Sequence, residues 1–189
     1  MSLRWRPRRV RDESGTMLVE LLIAMTFLAV AVGALIAVFA SSLLSLRHAS
    51  IEGNALTLAD KQMETFKTLP YASLKLNAAT ISGAGTGYVS SPPSNLTAGQ
   101  QSSITSGQTT GGTFAATQTV TGPDNRCYRI DTYIFPATPP GGQQVQQITV
   151  AVRSLTPNVT PCTSATVVGS IKAQVTSAFD LASTQIPPP

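Results

Sequence analysis

Three residues near the start of the chain, Gly15, Thr16 and Glu20, have types and spacing that invite chemistry on the main chain and on a charge pair. They stand in the stretch Gly15-Thr16-Met17-Leu18-Val19-Glu20-Leu21-Leu22-Ile23-Ala24-Met25, just behind an arginine-rich leader. From Leu21 to Leu46 no side chain carries a formal charge, which is long enough for a membrane span of about 20 residues. An ionised carboxylate at the edge of such a run is costly, marks function by default and demands a partner. A cut after Gly15 would create that partner. Thr16 would then be the N-terminus, with Glu20 four residues on and one helical turn away.

A second pair with chemical potential is Cys127 and Cys162, well beyond the apolar run. In an exported, oxidising setting the two are free to form a disulfide. Its loop of about 35 residues would stabilise by about 3 to 4 kcal/mol in the chain-entropy model. The alternative is two buried free thiols.

The remaining chemistry-bearing residues point away from an enzyme. There is no Gly-rich phosphate loop and no HExxH or CxxC spacing, and a Ser–His–Asp triad would have to use His48, at the border of the apolar run. With one histidine in the chain, a metal centre is not expected. Asp124, Asn125 and Asp131 do not follow a calcium-loop spacing, and Pro123-Asp124-Asn125 reads as a turn. Asn95-Leu96-Thr97 and Asn158-Val159-Thr160 fit the N-glycosylation pattern. No cofactor is expected.

The formal charge of +4 is mostly a property of the leader. Arg4, Arg6, Arg8, Arg9 and Arg11 face only Asp12 and Glu13 there, and beyond residue 15 eight basic and seven acidic side chains nearly cancel. The arginine flank therefore reads as positive-inside orientation, with the N-terminus in the cytoplasm, and not as a nucleic-acid site. A conventional secretory signal fits poorly, because the apolar run is too long and the glycine precedes it.

The elements that must position these residues follow from periodicity. One helix is predicted from about Met17 to about Leu69, ended by Pro70 and roughly 80 Å long at about 1.5 Å per residue. Its first half is apolar all round. Its second half is amphipathic, with Ile51, Ala55, Leu58, Ala59, Met63, Phe66 and Leu69 on one stripe and Glu52, Asp60, Lys61, Glu64 and Lys67 opposite. Gly33 and Gly53 are sites of bending, or, for Gly33, of close helix packing. Residues 78–112 turn to Gly, Ser, Thr, Gln and Pro and read as a long surface loop, with short strands at most around Tyr88 and Ile104.

Strand signals follow. Residues 112–120 alternate weakly. Cys127 to Phe135 puts Tyr128, Ile130 and Thr132 on one face and Arg129, Asp131 and Tyr133 on the other. Ile148, Val150 and Val152 share a face, as do Ile171, Ala173, Val175, Ser177 and Phe179. The expectation is a meander of three or four antiparallel strands with one buried and one wet face, the buried one meeting the helix stripe. Ile186-Pro187-Pro188-Pro189 is expected to be an extended end.

The Gly15–Met25 stretch with its basic leader resembles the prepilin signal of type IV pilins and pseudopilins. The segment Leu56 to Tyr71, with Gln62-Met63-Glu64 followed by Leu69-Pro70-Tyr71, resembles the end of the first helix in minor pilins of the pilus-modification type and in secretion pseudopilins. The resemblance implies cleavage between Gly15 and Thr16 by a prepilin peptidase, N-methylation of Thr16, and an assembly role for Glu20. Thr16 departs from the phenylalanine most common there. It implies as partners other pilin subunits and an assembly platform in the bacterial cytoplasmic membrane. The fold implied is α+β and pilin-like, a long helix on an antiparallel sheet. The organisation expected is a leader 1–15, a transmembrane or filament-core half 16–46, an amphipathic half 47–71, and an exported domain 72–189 with its sheet in 112–181. The function expected is structural: a minor subunit of a type IV pilus-like filament, at the cell surface or in the periplasm after leaving the membrane. A type II secretion pseudopilin is the alternative within the class, and a non-assembling membrane-anchored binding domain the alternative outside it.

Overall fold

The computed structural model describes residues 14–139, 142–156, 162 and 167–180. Most of the leader, the second glycosylation triplet at Asn158 and the proline tail lie outside the described residues. The chain divides after Arg47 into two compact units.

The first unit is the apolar part of helix α1, which runs over Ser14–Lys67. Every described side chain from Met17 to Arg47 is exposed. Leu, Ile, Val, Met and Phe thus face outward on all sides of it, a surface that water does not tolerate and lipid or other helices do. This helix is long and apolar enough to cross a membrane. It passes through Gly33 without interruption, and an added Cβ there would touch nothing in the chain.

The second unit holds the amphipathic end of α1 and the sheet. Ala55, Ala59, Met63 and Phe66 are buried and Ile51, Leu58 and Leu69 half-buried, as the stripe of threes and fours requires. The helix stops at Lys67, two residues before the predicted Leu69. The residue before a proline is disfavoured in helical conformation, and Leu69 N instead donates to Phe66 O at 3.2 Å.

The sheet is a four-stranded antiparallel meander in the order β1 (Thr117–Thr121), β2 (Cys127–Ala137), β3 (Val145–Thr156) and β4 (Val167–Asp180). Register pairs Ile130 with Val152, Thr132 with Val150 and Ile134 with Ile148, and Val150 in turn with Val175. That apolar face joins the helix stripe in one core, so the fold is α+β, a long helix packed on an antiparallel sheet.

Two expectations are corrected. The sheet does not have a wet face along its middle: β2 is buried from Cys127 to Phe135, and Arg129, Asp131 and Tyr133 lie inside. The edge strands keep the alternation, with Thr119 and Thr121 exposed on β1 and Gln174, Thr176 and Ala178 on β4. Nor are residues 78–112 a surface loop with short strands. They form three one-turn helices, α2 (Ala78–Ser82), α3 (Thr86–Ser90) and α4 (Ala98–Ser102), and Tyr88 and Ile104 are core residues. The two corrections share a cause: this segment folds over the second face of the sheet. Tyr88 stacks on Tyr133 with ring centroids 4.3 Å apart, Gln100 donates to Gln147 at 2.9 Å, and Asn95 and Ser94 reach Thr176 and Gln174. Short side chains and sparse apolar anchors suit a thin covering layer. Gly112 is required where the cover returns, because a Cβ there would collide with the Lys75 backbone beside the Leu76 bridges to Thr110 and Phe114.

Candidate functional site

Gly15 and Thr16 lie in the first turn of α1, and Glu20 follows one turn later in the same helix. Glu20 is exposed and forms no ion pair among the described residues. It therefore stands as a lone carboxylate at the head of a helix whose outward side chains are mostly apolar and otherwise uncharged through Leu46. If the chain begins at Thr16, two things bear on that charge. The first-turn N–H groups and helix dipole favour an anion there by about 0.3–1 kcal/mol, and the new ammonium lies one turn away. Inside a low-dielectric setting neither fully substitutes for a direct ion pair. The arrangement leaves room for a second cation beside the carboxylate.

The other candidate pair is joined. Cys127 and Cys162 form a disulfide with Cα atoms 5.4 Å apart and a sequence separation of 35 residues. It anchors the connection between β3 and β4 to the first residue of β2. Both cysteines are buried beside Leu155 and Val168 in a small core of their own, and Thr121 Oγ1 lies 3.2 Å from Cys162 Sγ. The bridge closes the open end of the sheet, where the β3–β4 ladder is already disturbed by register shifts after Val152.

A cluster that periodicity missed sits under the covering segment. Asp131 is fully buried and accepts from Arg129 Nε at 2.6 Å and Arg153 Nε at 2.7 Å. Arg153 also donates through Nη2 to Ser91 O, so the ion cluster fastens the cover to the sheet. Burial pushes the Asp131 carboxyl above its ordinary value, and the two guanidiniums oppose that rise. Burial likewise pushes the Tyr88 and Tyr133 phenols above the usual tyrosine range. The Tyr88 hydroxyl lies 2.6 Å from Thr132 O and 3.0 Å from Gln108 Oε1, and Gln108 in turn accepts from Ile134 N. Asp131, Tyr88 and Tyr133 are fully buried and Arg129 and Arg153 nearly so, and the cluster clasps the covering segment to the sheet. A hint was present in sequence: Tyr88, Leu96 and Ile104 recur within an otherwise small-residue segment, the mark of a layer with anchors.

Asp124 and Asp131 serve different partners. Asp124 belongs to the β1–β2 turn, where Gly122 N donates to Arg126 O at 2.8 Å and Asn125 takes the left-handed φ of 60°. Its carboxylate accepts from Tyr128 Oη at 2.8 Å. Thr97 of the first glycosylation triplet is the N-cap of α4 in a capping box with Gln100, and the Asn95 amide is engaged with Thr176. No family model, curated protein or solved structure matches the chain significantly.

Proposed function

We propose that the chain is a structural subunit of a type IV pilus-like filament, a minor pilin cut between Gly15 and Thr16. The observation that carries this reading is the lone exposed Glu20 at the head of an exposed apolar helix that is otherwise uncharged through Leu46. A simple anchor has no use for a carboxylate there, whereas an assembling helix does. In the membrane, acyl chains cover α1. In the filament, neighbouring helices replace them, and Glu20 takes the Thr16 amine of another subunit, so that two charges are neutralised together in an apolar core. The four-stranded domain stays outside on the amphipathic end of α1 and meets the surroundings.

Two measurements test this. Mass spectrometry of the N-terminal peptide from protein made in its native host is expected to show a chain beginning at Thr16, with or without an added methyl group. An intact leader, or a cut after the apolar run, refutes prepilin processing. Glu20→Ala is expected to leave membrane insertion intact and to remove the subunit from sheared filaments. Loss of a buried charge partner costs about 3–5 kcal/mol, enough to suppress incorporation by more than a hundredfold. Wild-type incorporation of Glu20→Ala would sink the proposed role of the charge.

A further inference from the structure

His48 is the second residue after Leu46, where the uncharged run ends, so it stands where a span leaves hydrocarbon. Within the second unit it borders a pocket of about 200 Å³. Ile51, Tyr128 and Leu155 supply apolar wall, and His48, Arg126 and Lys172 supply three basic groups around it. Sites for drug-sized ligands run to about 300–1,000 Å³, so this one suits a compact group. The charge balance is one-sided. Asp124 pairs with Arg126, Oδ2 to Nε at 3.6 Å, but its carboxylate is shared with the Arg126 main-chain N–H and the Tyr128 hydroxyl, and it offsets one of the basic groups. Lys172 is half-buried and makes no ion pair among the described residues. A half-buried lysine can bury its methylene stem and still present its ammonium to solvent or to an anion.

We propose that this pocket holds the phosphate-bearing headgroup of an anionic phospholipid from the leaflet where α1 emerges. Lys172 and Arg126 meet the phosphate, and Ile51 and Leu155 meet the first carbons of the lipid. The inference rests on reading the apolar half of α1 as a membrane span, and it does not depend on filament assembly. A lipid fits better than a free anion for two reasons. Apolar walls contribute nothing to a fully hydrated ion, and the pocket residues His48 and Ile51 follow the span directly in sequence.

The test uses the full chain, extracted in neutral detergent with equal amounts of phosphatidylglycerol and phosphatidylcholine and weighed intact by native mass spectrometry. One charge-assisted contact is worth about 1.5 kcal/mol or more, so retention of phosphatidylglycerol is expected at about tenfold over phosphatidylcholine. Lys172→Glu combined with Arg126→Gln should bring the two lipids to parity, and Lys172→Arg should keep the preference. If the double variant fails to fold by thermal melting, Lys172→Glu alone is read in its place. Equal retention on the wild-type chain, or a preference untouched by these variants, overturns the proposal. So does equally tight binding of soluble glycerol phosphate, which would make this a free-anion site. Alkaline carbonate extraction separates the premise: a chain released from membranes refutes the span itself. A chain retained without lipid preference refutes only the headgroup site.

Discussion

Asp131→Asn removes one charge from the sealed cluster and changes almost nothing in its shape. In the native chain Asp131 is fully buried, and Arg129 and Arg153, 10% and 2% exposed, approach its two oxygens at 2.6 and 2.7 Å. The variant leaves both guanidiniums without a counter-charge. Removing one partner of a buried ion pair costs about 3–5 kcal/mol, against a total stability of about 5–15 kcal/mol for a domain. With a urea dependence of about 2 kcal/mol per molar, the unfolding midpoint is expected to fall by about 2 M. The assay is urea unfolding of the full chain in detergent micelles, followed by the near-ultraviolet dichroism of the stacked Tyr88 and Tyr133. The same reasoning gives a paired outcome. Burial disfavours the Asp131 carboxylate even with both arginines present, so much of the attraction only offsets desolvation. Replacing all three residues by Met, Leu and Met is therefore expected to restore the wild-type midpoint or exceed it. An Asp131→Asn chain that unfolds at the wild-type midpoint refutes the argument, and a triple variant as weak as the single one refutes its second half.

Alkali should unfold the domain through its tyrosines. The folded state holds the Tyr88 and Tyr133 protons above the ordinary value of 10.0, while the unfolded chain releases them there, so stability is level below about pH 10 and falls above it. The slope is about 1.4 kcal/mol per pH unit for each phenol, read as Tm from pH 8 to 12, and a flat Tm past pH 11 contradicts it. Cys127→Ser with Cys162→Ser should cost about 3 to 4 kcal/mol in urea unfolding, and an unchanged midpoint would show the bridge to be idle. Phe66→Ala empties a fully buried site 5.2 Å from the Phe114 ring and is expected to cost about 3–5 kcal/mol by the same assay, with less than 1 kcal/mol counting against it. Thr97→Ala removes only the α4 cap and should cost about 1 kcal/mol, so a loss as large as that of Phe66→Ala would be unexpected.

Local rules governed the parts of this protein that the sequence by itself determined. The length of the uncharged run, the threes and fours from Ile51 to Leu69, the stop near Pro70 and the alternation from Ile171 to Phe179 depend on helix and strand periods alone. They specified one long helix, its buried stripe and an antiparallel meander. The cysteine pair was open between disulfide and thiols until the structure brought Cys127 and Cys162 together. Tertiary structure alone decided the fate of residues 78–112 and of the second sheet face. Arg129 and Asp131 read as solvated, because an alternating strand shows which residues share a face but not what will cover that face. The cover is a layer rich in Ser, Thr, Gly and Gln, held to the sheet by long-range hydrogen bonds of Gln100 with Gln147, Asn95 with Thr176 and Gln108 with Ile134. Such bonds have no period along the chain, so they cannot be read from it. Glu20 lies beyond both levels: no described residue of this chain pairs with it, and the proposed partner comes from another copy of the helix.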